Sequence, residues 1–216
     1  MNTFTTILST LFFVLFQQAT AFAHESVSSS SSDEGPAPTR RELFTEILSP
    51  ISPLDKLLDP MTPQGKAFNW IIDEDERVVG PNDPVAVQRY SMALLYFGTS
   101  AGRHTWTQCG ATDENCGLLL SDRFEGQSNY LSADSECDWA GSTCDEEGFI
   151  VKIELGSNGL KGTIPTEVRS LPFLTELDLA GNRVSEELSK EQDSTTQVVS
   201  DMIIGRARSL LRHRVF

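Results

Sequence analysis

The stretch Ile150-Val-Lys-Ile153-Glu-Leu155-Gly-Ser-Asn158-Gly-Leu160-Lys-Gly162-Thr-Ile164-Pro165 decides the fold. Twenty-four residues further on, Leu174, Leu177, Leu179, Asn182 and Val184 fall in the places of Ile150, Ile153, Leu155, Asn158 and Leu160. A shared offset at every one of these positions separates a stacking repeat from two unrelated amphipathic strands. On a short strand successive side chains alternate, so Ile153 and Leu155 point inward while Lys152 and Glu154 face solvent. Asn158 stands where the chain turns out of the strand. Its amide can satisfy backbone groups that stacking would otherwise bury unpaired.

A period of roughly 20–29 residues with this spacing of apolar positions and asparagine resembles the leucine-rich repeat. Gly162-x-Ile164-Pro165 resembles the convex side of the plant type. Upstream, Cys137-Asp-Trp139-Ala-Gly141-Ser-Thr-Cys144 resembles the cap that opens plant-type ectodomains of this family. Gln88 to Phe97 resembles the helix before that cap, and Trp106 the tryptophan that follows it. The resemblance runs from about Asp83 to Val184. It implies an α/β fold: a short solenoid of parallel strands, about two repeats, behind a disulfide-braced helical N-terminal cap. The second repeat departs from the pattern, with Glu186-Glu-Leu188-Ser189 where the first has Gly162-Thr-Ile164-Pro165. No third repeat follows, although stacked coils stabilise one another and three or more are usual. The repeats therefore read as a remnant, a truncated product, or a module completed by something else.

Four cysteines in two pairs of similar spacing admit either disulfides or a tetrahedral zinc site. Zinc calls for tighter Cys-x-x-Cys spacing and a reducing compartment. The resemblance to the cap implies Cys137 paired with Cys144 and Cys109 with Cys116, bracing a cover over the first apolar layer.

The N-terminus bears on the compartment. Residues 7–16 form a short apolar run, followed by Ala21-Phe22-Ala23 before His24, which reads as a signal peptide spanning residues 1–23 rather than a buried helix. Ala19-Thr-Ala-Phe22-Ala also resembles the cleavage motif of bipartite plastid signals, but Glu25, Asp33 and Glu34 precede Arg40 where a transit peptide should be basic. The expected location is secreted or cell-surface, with the plastid as alternative. No later segment has the length of apolar sequence that spans a bilayer.

Residues 24–62 read as a disordered linker, serine-rich and then broken by prolines, with a short helix possible over Arg40–Leu48. Residues 63–149 read as the helical, cysteine-containing cap. A helix from about Pro63 would carry Ala67, Phe68, Ile71 and Ile72 on one stripe. A second, capped by Asp83 with Pro84 at its first position, would carry Val87, Tyr90, Leu94 and Phe97 and end at Gly98. Residues 150–188 hold the repeats. Residues 189–216 form a tail in which Val199, Met202, Ile203, Leu210 and Leu211 line one side of a possible helix and Arg206, Arg208, Arg212 and Arg214 add charge. That helix could cap the second repeat, lie on an anionic membrane surface, or carry no role.

A formal charge of −14 and the lack of a basic stripe argue against nucleic acid. Catalysis has little support: past the signal only His24, at the new terminus, His104 and His213 remain, with no nucleophile elbow, zincin helix or phosphate loop. A hydrolase using the acids of residues 113–147 is the enzymatic alternative. Asp73-Glu-Asp-Glu76 lacks the spaced carboxylates of a calcium loop and reads as a solvated helix end. No metal or cofactor is expected. The family resemblance implies protein or peptide binding on the concave face, at Lys152, Glu154, Ser157, Thr175, Glu176, Asp178 and Ala180. The competing readings are an idle sheet face and a structural remnant of a longer receptor-like protein.

Overall fold

The computed structural model describes residues 36–101, 106–118 and 123–186, and those from Pro38 onward belong to one compact unit. The expected signal peptide, the serine-rich part of the linker, Leu188 and the tail lie outside the described residues.

Helix α1 (Arg40–Leu48) starts at a capping box. Thr39 Oγ1 accepts from the Glu42 amide at 3.2 Å, and Glu42 Oε2 accepts from the Thr39 amide at 2.7 Å. The Thr39 backbone N–H, and then its hydroxyl, hold the Glu42 carboxyl below its ordinary range. Phe44 and Leu48, one turn apart, are fully buried. Helix α2 (Leu54–Leu58) buries Leu57, and α3 (Pro63–Asn69) follows a Thr62 cap whose Oγ1 accepts from Gly65 N at 2.9 Å. A π-helical turn, Trp70–Glu74, completes this run.

The linker expected over 24–62 is thus corrected for its described part: helical structure begins at Arg40, not at residue 63. The prolines divide the segment into short helices without preventing structure, because Phe44, Leu48 and Leu57 supply enough apolar surface to anchor them. The Arg40 guanidinium also donates to the carbonyls of Ile71, Ile72 and Val79.

Helix α4 (Ala86–Thr99) starts later than its sequence suggests. Asp83 caps a turn instead, its Oδ1 accepting from Val85 N at 3.0 Å. Gly98 lies inside the helix and is there for contact: a Cβ on it would sit 2.8 Å from the Thr163 carbonyl oxygen.

Five short strands follow: β1 (Ser142–Cys144), β2 (Ile150–Glu154), β3 (Lys161–Ile164), β4 (Glu176–Asp178) and β5 (Arg183–Glu186). β1 runs antiparallel to β2, and β2 pairs in parallel with β4; β3 and β5 form a separate parallel pair. Lys152 faces Glu176, Ile153 faces Leu177 and Glu154 faces Asp178, all at the 24-residue offset read from the sequence. On the other pair Gly162 faces Val184 and Ile164 faces Glu186, an offset two residues shorter. Between β2 and β3 the chain runs two residues longer than between β4 and β5, and Asn182 Oδ1 accepts there from both Asn158 N and Leu160 N at 3.0 Å. A slip of two keeps the same alternate faces together.

Ile153, Leu155 and Leu160 are fully buried and continuous with the helical core, whereas Leu174, Leu177, Leu179 and Val184 are partly buried. An aromatic series joins cap to repeat: Tyr96, Trp106, Tyr130, Trp139 and Trp70 follow one another at centroid spacings of 5.1, 4.5, 5.2 and 5.9 Å.

Candidate functional site

The exposed face of the β1–β2–β4 sheet carries most of the residues singled out in the sequence. Thr143, Lys152 and Glu176 form one row across the three strands, and Glu154 and Asp178 face each other in a row beside it. Lys152 Nζ lies 3.1 Å from Glu154 Oε1 and 3.3 Å from Glu176 Oε2. Those two hydrogen bonds, Glu154's first, raise the Lys152 pKa and hold it charged. All three side chains remain substantially open to solvent, so the pairs are weak in stability terms and matter for the charge they display.

The remaining expected residues serve the backbone. Thr175 Oγ1 turns back to donate to the Val151 carbonyl at 3.0 Å. Asp178 Oδ1 accepts from Ala180 N at 2.9 Å. Ser157 lies past the end of β2 in a left-handed conformation, φ 53°, and its amide donates to the Ala180 carbonyl at 2.6 Å. Lys152, Glu154, Glu176 and Asp178 are therefore brought together, while Thr175, Ser157 and Ala180 hold the strand ends. Thr143 extends the face, and the sequence pattern did not reveal it because β1 precedes the repeat. Arg123, also unforeseen, donates to the carbonyls of Glu154 and Gly156 at the strand exit.

The segment Thr107–Gln108 lies against the turn after β2. Thr107 N donates to the Asn158 carbonyl at 2.9 Å. The Asn158 side chain is buried; its Oδ1 accepts from Thr107 Oγ1 and Gln108 N, and its Nδ2 donates to the Gln108 carbonyl. Asn182 repeats the arrangement one coil later, donating to the carbonyls of Leu155 and Leu179. Cys109 is bonded to Cys116 and Cys137 to Cys144, with Cα separations of 4.7 and 5.4 Å. Gly141, between the second pair, has φ 76°, and a Cβ there would sit 2.3 Å from the Glu154 carbonyl oxygen. Only glycine lets this loop lie against β2.

Two buried polar clusters escaped the sequence reading. Arg89 is fully buried, bonded to Asp75 at 2.6 and 2.8 Å and to Glu136 at 3.2 Å, and its guanidinium lies over the rings of Trp70 and Trp139. It also donates to the carbonyls of Ser132 and Asp134, so it orders the loop before the second disulfide. The second cluster joins the helices to the repeat: Glu167 Oε1 accepts from Ser52 Oγ at 2.8 Å and Gln64 Nε2 at 3.1 Å, and Ser52 Oγ lies 2.7 Å from Tyr90 Oη. Burial, opposed by the hydrogen bond with Ser52 and reinforced by the Glu167 charge, pushes the Tyr90 hydroxyl well above its ordinary pKa. Beside this cluster a cleft of about 280 Å³ is lined by Lys56, Pro63, Gln64, Gly98 and Pro165 among others. That is below the roughly 300–1,000 Å³ of most ligand pockets. Among the described residues no group of three or more His, Cys, Asp or Glu side chains converges as a metal site.

Over 65 residues the chain is 44% identical to a probable leucine-rich repeat receptor-like protein kinase of Arabidopsis thaliana, a match covering 29% of this chain. Over 55 residues, 26% of this chain, it is 47% identical to the leucine-rich repeat receptor protein kinase EMS1 of the same plant. More than a quarter of the chain is thus similar in sequence to parts of leucine-rich-repeat receptor kinases. The matches span 7% and 4% of the length of those relatives. No family model matches the chain, and no solved structure does. The two disulfides, with the partial similarity to receptor-like proteins, are compatible with an extracellular setting. Among the described residues no helix is long and apolar enough to cross a membrane.

Proposed function

We propose that the chain is a secreted or cell-surface, non-catalytic leucine-rich-repeat module: a solenoid of about two coils with a disulfide-braced helical cap, whose exposed sheet face holds a protein or peptide. The observation that carries this reading is the 24-residue register of β2 on β4 with Asn182 bonded to the Asn158 backbone. The similarity to receptor kinases of the leucine-rich-repeat type supports it over part of the chain. The face itself supports binding over catalysis: it offers charged groups on a regular surface but neither a nucleophile paired with a base nor an enclosed pocket.

A photo-crosslinking residue placed at Thr143, on the face, or at Arg169, on the exposed turn after Pro165, tests the assignment in the native medium. An adduct formed through Thr143 alone is the expected result. A second reading, a structural piece of a longer receptor-like protein with no binding of its own, is favoured by the partly exposed Leu177 and Leu179. Adducts from neither position, or equally from both, would select it. The N-terminus of the protein recovered from its cell addresses location: a start at His24 fits secretion, and a start at Phe22 with plastid import fits the alternative.

A further inference from the structure

We infer that the cleft between α3 and the end of β3 is the seat of the chain's own segment after β5, residues 187–191, with Leu188 inside it. Pro63, Pro165 and Gly98 give the cleft an apolar lining, Gln64 and Thr163 a polar one, and Lys56 an ammonium. Its walls are fixed from within. Gln64 is buried, and its Nε2 donates to Glu167 Oε1. Gly98 packs so closely that a Cβ on it would lie 2.8 Å from the Thr163 carbonyl oxygen and 3.3 Å from Pro165 Cδ. None of these residues lies on β1, β2 or β4, so the seat is separate from the exposed sheet face, whatever that face binds.

The occupant follows from where the chain leaves the fold. β5 pairs with β3 so that Glu186 faces Ile164, the residue before Pro165. The chain therefore leaves β5 one strand spacing, about 4.8 Å, from the strand that leads into the cleft wall. Leu188 is the first apolar residue after β5, and two residues of chain reach about 7 Å. The second repeat departs from the first at this same place, with Glu187-Leu188-Ser189 where Gly-x-Ile-Pro would lead into another turn. The volume fits a side chain: 280 Å³ exceeds the roughly 150 Å³ that takes a benzene-sized apolar group and is smaller than most ligand pockets. Glu187 and Glu191 bring carboxylates of opposite sign to the Lys56 ammonium. A segment tethered this closely acts at an effective concentration on the order of millimolar, which a second copy of the chain would have to match.

Photo-crosslinking in the full, oxidised chain tests the seat, with p-benzoylphenylalanine placed at Leu188 and the adducts mapped by mass spectrometry. Adducts within single chains, to residues 56–65 or 163–167, are the expected result. Adducts in covalent dimers would give the cleft to a second copy, and adducts confined to residues 171–186 would lay the segment on the second repeat; either overturns the inference. Amide chemical shifts of full chains carrying Leu188→Asp or Ser194→Asp give a reading that does not depend on seating a larger residue. Leu188→Asp should shift the amides of Gln64, Gly98 and Thr163. Ser194→Asp, which adds the same charge beyond the segment, should leave them in place. Unmoved amides in Leu188→Asp, or equal shifts in the two variants, would overturn the inference whatever the crosslinks show.

Discussion

The side chain of Asn182 bonds the backbone of Asn158: its Oδ1 accepts from the Asn158 amide at 3.0 Å, one full repeat away. Asn158 in turn bonds Thr107 and Gln108 of the cap. The two asparagines thus link the turn after β4, the turn after β2 and the segment at Thr107–Gln108. Replacing Asn158 with alanine removes its side-chain bonds to the Thr107 hydroxyl and to the Gln108 N–H and carbonyl, and should cost about 2–3 kcal/mol. Denaturant unfolding of the oxidised chain measures it, and an unchanged midpoint would show that water replaces the amide without loss.

The two coils should differ in sensitivity. Leu155 is fully buried, whereas Leu179, its counterpart, is partly exposed. Leu155→Ala should therefore cost about 3 kcal/mol and Leu179→Ala about 1 kcal/mol. Equal losses would mean that further chain covers the second coil in solution.

Arg89 holds two buried carboxylates, and its removal takes the ion partner from Asp75 and leaves Glu136 with Arg77 and Gln88 only. Arg89→Ala should cost about 3–5 kcal/mol. Arg89→Lys should recover little, because an ammonium cannot reproduce the paired bonds to Asp75 at 2.6 and 2.8 Å or the planar contact with Trp70 and Trp139. Near-complete rescue by lysine would show that charge alone matters there.

Alkaline pH should destabilise the fold. Burial pushes the hydroxyls of Tyr90 and Tyr130 above their ordinary range. Unfolded tyrosine releases its proton near pH ~10 while these two keep theirs, so unfolding releases protons and stability falls as pH rises above that value. Melting temperatures measured between neutral pH and strong alkali should show this decline, and Tyr130→Phe should make it shallower. An unchanged slope in that variant would remove Tyr130 from the account.

Each disulfide closes a short loop, with a sequence separation of 7. Loop entropy alone gives about 2–3 kcal/mol apiece. Reduction under native conditions should lower stability by that order at each bridge, and thiol counting should show no free cysteine beforehand. Two or more free thiols in the oxidised, denatured chain would contradict the pairing.

The sequence by itself determined the local and periodic features. The offset between Asn158 and Asn182 shows in a single chain because each coil meets the same neighbour environment, so the same residue type returns at the same place. The cysteine pairs are likewise near in sequence, and Leu155 and Ile153 announce their burial by alternation. Only the tertiary structure decided the rest. Thr39 and Glu42 formed a cap box whose value depends on Phe44 and Leu48 finding the core, so the segment from Arg40 folds where composition suggested a linker. Arg89 with Asp75 and Glu136, and Ser52 with Tyr90 and Glu167, are contacts between residues far apart in sequence; an exposed arginine and a buried one are spelled the same way. The two-residue slip between β3 and β5 is likewise invisible in the repeat, which aligns Val184 with Leu160 where the structure pairs it with Gly162. Periodicity sets which side of a strand a residue occupies, but only the packed neighbours set what that side chain meets.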